Sequence, residues 1–193
     1  MDEKTAKQIA RERLGDKRFQ HSVNVRDMAV ALAERYGADP QKAAVAALLH
    51  DSCKEMDKDD MLRIIQENAI IADNAENRPK PIWHGVVAAI LAKTQWGVDD
   101  EEICSAISCH TTGKRDMSLL DKIVYMADTT SIERDYADAA YLRKLEMEDL
   151  DKALGEALGK SIAWVKKSGN PIDKATLEAY EQYGPQTHEE SNS

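Results

Sequence analysis

The 193-residue chain is long enough for one sizeable core and short for two ordinary domains; with 42% hydrophobic and 32% charged residues it falls outside the disordered and membrane-spanning classes. A formal net charge of -9 excludes a non-specific nucleic-acid surface, which needs a basic footprint, so a phosphate ligand must be held by local positive charge. Cys53, Cys104 and Cys109 lack paired CxxC spacing, and no stretch reaches the roughly 18 apolar residues of a membrane span, so the expectation is a cytoplasmic protein without a targeting or anchoring segment.

Ala, Leu, Glu, Lys and Arg dominate, and alternating β-branched runs are rare, so the expected fold class is all-α with no sheet. A first helix falls within residues 2–14. Gly15 stops it, and Asp16 caps a longer helix that reaches Tyr36 and is closed by Gly37. Pro40 suits a first helical turn, and QKAAVAALLHD continues as a nearly all-apolar helix of the kind buried in the middle of a fold. Residues 57–68 form a more exposed helix, and the prolines of NAENRPKPIW mark a loop leading to His84. Helices follow over 82–95, 99–110 and 118–128, separated by Gly97 and TTGKRDM, and then near 137–146, 149–168 and 173–183. Residues 1–183 thus read as a single helical domain, with a core of about 16–135 and C-terminal helices over 137–183. The polar residues 184–193 read as a flexible tail.

Histidines and aspartates recur on the apolar faces of these helices. His21 shares a face with Val25, Met28 and Leu32, and His110 follows Ile103, Ala106 and Ile107. Asp128 follows Leu120 and Val124, and His50 with Asp51 ends the Ala-rich helix. Taken singly, such a histidine is ordinarily hydrogen-bonded core, and such an aspartate a cap or ion-pair partner. Burying three histidines and two aspartates together is costly unless something compensates, and a metal ion does so for all of them.

The segments HSVNVRDMAVALAERYG, KAAVAALLHDSCKE, WHG at 83–85, AISCHTTG, MSLLDKIVYMAD and Arg134 together resemble the HD superfamily of metal-dependent phosphohydrolases, whose ligand order is H…HD…D. The resemblance spans about His21 to the 170s. It implies one HD-domain helical bundle with His21, His50, Asp51 and Asp128 as metal ligands. More narrowly, the chain resembles the YqeK branch, associated with symmetrical hydrolysis of diadenosine tetraphosphate to two ADP. One stretch departs from that pattern: in TTSIERDY, Arg134 keeps its place, but Ser131 stands where glutamate is expected and Ile132 where proline is. This departure bears on the shape of the loop and its substrate contacts and leaves the four metal ligands untouched.

Two imidazoles and two carboxylates suit iron, manganese or zinc, with magnesium as a further alternative; the resemblance implies iron. Asp51, Lys54 and His84 are the candidate catalytic residues, with Asp51 placed to orient the nucleophile. Candidate substrate contacts are Asn24, Asp51, Lys54, His84, Gly85, His110, Thr111, Asp128 and Arg134. Gly85 is included because it would let a phosphate approach the backbone at a helix N-terminus. His84 and His110 stand equally as ligands of a second ion. Trp83 and Trp96 are candidates for stacking on a base, with core packing the ordinary alternative, and Cys109 reads as a small buried side chain. The expected partner is a small-molecule nucleotide, with a homodimer as the expected assembly and neither nucleic acid nor membrane. Two other functions remain open: an HD-type nucleotidase or phosphodiesterase acting on another nucleotide, and a non-catalytic metal-bound nucleotide sensor.

Overall fold

The computed structural model describes residues 1–72 and 75–185, and of Ile70 and Ile71 the backbone alone; the expected tail lies outside the described residues from 186 onward. Helix α1 (Glu3–Arg13) begins where the Asp2 carboxylate accepts a hydrogen bond from Thr5 N. Gly15 precedes α2 (Asp16–Tyr36) without a side-chain cap, so Asp16 sits inside the first turn, where its charge favours the helix dipole, instead of capping it as expected. Gly37, at φ 76, ends α2 in the left-handed conformation. Asp39 then caps α3 (Pro40–Leu49), with the proline in its first turn.

After α4 (Lys58–Glu67) and the single turn α5 (Ala69–Ala72), the expected loop carries two short 3-10 turns, Ala75–Asn77 and Lys80–Ile82. Proline there removes backbone donors that a longer helix would need. Next come α6 (Trp83–Thr94), α7 (Glu101–Cys109), α8 (Leu119–Thr130), α9 (Ala139–Glu148), α10 (Leu150–Lys167) and α11 (Lys174–Tyr183). The fold is all-α, with no strand among the described residues. None of the described helices is long and apolar enough to cross a membrane.

Two helices are buried on nearly every side: α3 from Ala43 to Leu49, and α6 from Trp83 to Ala92. Helix α2 lays Val25, Ala29, Leu32 and Ala33 against this centre, and α8 adds Leu120, Ile123, Val124 and Met126. The many alanines let the helix axes approach closely, while each fully buried Leu or Ile contributes about 1.5–3 kcal/mol. Helix C-termini carry partial negative charge, and those of α3, α7 and α8 deliver His50, His110 and Asp128.

Candidate metal centre

His50 follows the last residue of α3 and donates from Nδ1 to Ala47 O at 2.6 Å. His110 does the same at the end of α7, donating to Ile107 O at 2.7 Å, and His84, in the first turn of α6, donates to Pro81 O at 2.9 Å. A carbonyl accepts only, so each of these bonds fixes the proton on Nδ1 and leaves the Nε2 lone pair facing inward. His21, on the buried face of α2, has its Nδ1 held by the Glu133 carboxylate instead. Three imidazoles thus converge with Nε2 free of a proton, and the Nε2 of His21 faces the same point.

Asp51 occupies the turn after α3 and is almost fully buried. Its Oδ2 lies 3.9 Å from His21 Nε2 and 3.6 Å from His50 Nε2, while its Oδ1 lies 3.1 Å from His84 Nε2 and 3.6 Å from His110 Nε2. Asp128 Oδ1 approaches His21 Nε2 to 3.0 Å and His50 Nε2 to 3.9 Å. Donors about 2.0–2.2 Å from one shared ion stand roughly 3–4 Å apart, the separations found here. The buried His50 Nε2 has no hydrogen-bond partner in the protein, and His21 Nε2 has none beyond the 3.0 Å approach of the Asp128 carboxylate. Unpartnered lone pairs, neighbouring carboxylates and three helix C-termini together fit a divalent cation.

Burial alone would raise the Asp51 carboxyl, but the surrounding histidines outweigh it and hold the group below the usual carboxylate range; the same balance, struck with His21 and Arg134, lowers Asp128. Burial pushes the His50 and His84 imidazoles down to about 4, which keeps them neutral and ready to act as ligands. His21 moves the other way, because Asp128 and Glu133 overcome its desolvation.

The remaining candidates divide by position. Lys54 Nζ stands 3.1 Å from His84 Nε2 and 3.9 Å from Asp51 Oδ1, beside the cluster. Arg134 donates to Asp128 through Nη2 at 2.6 Å and Nε at 3.0 Å, so it orients a proposed ligand while remaining 40% exposed. Asn24 is engaged through its amide N–H with Glu133 at 2.7 Å and through its carbonyl with Gln20 at 2.9 Å. The Thr111 hydroxyl is buried without a partner. Gly85 departs from expectation: a Cβ there would lie 3.1 Å from the His110 ring and 3.2 Å from Ile107 O. The missing side chain makes room for His110, a packing role that the sequence analysis did not assign to it. Trp83 is buried with its N–H donated to Arg78 O, and the half-buried Trp96 packs against Arg13.

Two participants escaped the sequence analysis. Arg18 donates to Asp51 Oδ2 at 2.8 Å, and its place one turn before His21 on the same helix face was a usable signal. Glu133 had a weaker one. The carboxylate missing at 131 appears two positions later, and the turn that brings it back is held by Arg134 N donating to Ser131 O and by Arg143 donating to Thr130 O and Arg134 O. Ser131 Oγ donates to the same carboxylate at 2.9 Å, whereas Ile132, in the expected proline position, is 70% exposed.

The HD domain family matches residues 18–133. A relative from Bacillus subtilis (strain 168), named a symmetrical bis(5'-nucleosyl)-tetraphosphatase, is 34% identical over 93% of this chain and 96% of its own length. One of the same name from Staphylococcus aureus is 31% identical over 95% of each. A solved structure from Clostridium acetobutylicum, described as a predicted HD superfamily hydrolase involved in NAD metabolism, superposes with a TM-score of 0.84 at 36% identity, covering 91% of this chain and 93% of that one.

Proposed function

Since the chain belongs to the HD domain family of metal-dependent phosphohydrolases, we propose that it hydrolyses diadenosine tetraphosphate symmetrically to two ADP, with His21, His50, Asp51 and Asp128 holding a divalent ion. The observation that carries this reading is the convergence of unpartnered imidazole Nε2 atoms and two carboxylates on one buried point. Among the divalent alternatives, iron is the proposed native ion. Cytoplasmic action and a homodimer complete the reading; three free thiols are consistent with a reducing compartment.

When bound, such an ion supplies Lewis acidity toward a phosphoryl oxygen and makes a nucleophile available near neutral pH. Asp51 accepts a hydrogen bond from the attacking water and so aims it at an inner phosphorus. The cations Arg18, Lys54 and Arg134 are matched by the carboxylates of Asp51, Asp128 and Glu133. The centre is therefore close to neutral by itself, and a dication gives it the positive charge a tetraphosphate needs. Lys54, beside His84, neutralises charge on the departing ADP, while His110, its Nδ1 proton given to Ile107 O, offers an Nε2 lone pair that suits a metal ligand and not a phosphate donor. Asp51 Oδ1, His84 and His110 also form a second trio of candidate ligands, and their geometry supports a dinuclear variant of the same site.

Chromatography of the products from diadenosine tetraphosphate, with the protein loaded with iron or manganese, tests the proposal. ADP as sole nucleotide product is expected. ATP plus AMP would move the cleavage off centre, and tight binding without turnover would favour a sensor.

A further inference from the structure

A symmetrical dinucleotide cut at its middle extends one nucleoside in each direction, yet the two cavities flanking the cluster differ in chemistry. On the Asp51 Oδ2 side, next to His21, lies a cavity of about 730 Å3 whose border is highly charged, with Lys17, Arg18 and Arg134 alternating with Glu55, Glu133 and Asp135. A second cavity, of about 330 Å3, lies on the Asp51 Oδ1 side and is lined by Pro81, Thr111, Trp164, Asn170 and Ile172. Its wall is continuous with the centre: Pro81 O receives the His84 Nδ1 proton, and Thr111 directly follows His110. We infer that this second cavity seats one of the two adenine bases, stacked on Trp164, an assignment that rests on the symmetrical hydrolase reading above.

The lining suits a neutral heterocycle: apart from Asp173 and Lys80, whose ammonium lies 5.7 Å from the centroid of the Trp83 ring, it is uncharged. Trp164 is 69% exposed, so its indole face is open to a ligand, and Pro81 and Ile172 provide further apolar wall. Asp173, the acidic residue of the lining, is already held by Arg78 at 2.8 and 2.9 Å, which removes its charge from play and braces α11 against the turn after α7. The buried, unpartnered Thr111 hydroxyl and the exposed Asn170 amide offer hydrogen bonds to a base edge or ribose. A volume near 300 Å3 stands at the small end of ligand pockets and suits one nucleoside. The larger, charged cavity then takes the other half of the substrate, so chemically identical ends would meet unlike seats.

Trp164→Ala and Trp164→Phe test the seat by steady-state hydrolysis of diadenosine tetraphosphate and by titration of tryptophan emission with ADP. Loss of the indole is expected to raise KM about tenfold or more and to leave kcat within about twofold, since stacking acts in ground and transition states alike. Trp164→Phe should restore most of the KM. ADP should quench the emission of the wild-type protein but not that of Trp164→Phe, because neither Trp83 nor Trp96 lines this cavity. Unchanged KM in Trp164→Ala, quenching that survives in Trp164→Phe, or a KM rise that phenylalanine does not rescue would each overturn the assignment. Failure of the wild-type protein to split the dinucleotide would instead sink the hydrolase reading, with the ADP quench still deciding whether the seat exists.

Discussion

Each imidazole at the centre is useful because something outside the cluster holds its other nitrogen. For His50, His84 and His110 that partner is the carbonyl three residues earlier in its own chain segment, so helix geometry fixes the tautomer. His21 relies on Glu133, 112 positions away, which makes this ligand the one most open to perturbation by a side-chain change. Glu133→Gln keeps the shape but removes the charge, and should weaken divalent-ion binding about tenfold in a competition titration while leaving Tm of the ion-free protein unchanged. Equal affinity would remove Glu133 from the account. Asp51→Ala should retain little metal by elemental analysis and show no measurable turnover, because both carboxylate oxygens face the histidines; a near-normal rate and metal content would reverse the assignment. The proposed ligand positions were legible as polar residues on apolar helix faces. Glu133 was not, since its contact arises from a turn shaped by Arg143 on another helix.

At the scale of elements, caps and prolines made every described helix except the single turn α5 readable to within two residues at either end. The 3-10 turns before α6 were not, because short polar segments take their shape from what they pack on. Nor does periodicity reveal that α8 and α9 meet through a buried acid. Glu146 is fully buried, and its carboxyl lies 2.8 Å from Thr130 Oγ1, which in turn donates to Met126 O at 2.7 Å. Burial pushes this carboxyl up to about 8, from an ordinary 4.5, despite Thr130 and Arg143. The folded protein therefore keeps a proton that the unfolded chain releases above about 4.5. The stability from this group is complete below the unfolded value and is lost as pH rises to about 8. Glu146→Gln should flatten that decline, with a Tm advantage over wild type that widens between pH 5 and pH 8 in thermal melts; parallel Tm curves would show that the carboxyl does not titrate as described.

For the whole molecule, a chain of net charge -9 sets three half-buried cations, Arg18, Lys54 and Arg134, around one point, leaving that point nearly neutral until a dication arrives. Ion binding then belongs to the folded state alone and stabilises it by mass action. At an ion concentration about a hundred times Kd, removal by a chelator should lower Tm by about 5–10 °C, reversibly on re-addition. An unchanged Tm would mean that the helix ends converge without binding anything.

The most direct test of that convergence is an anomalous-scattering map from a crystal grown with manganese or iron. The account predicts a peak within bonding distance of His21, His50, Asp51 and Asp128. A peak elsewhere, or none at this position in a metal-loaded protein, would contradict it.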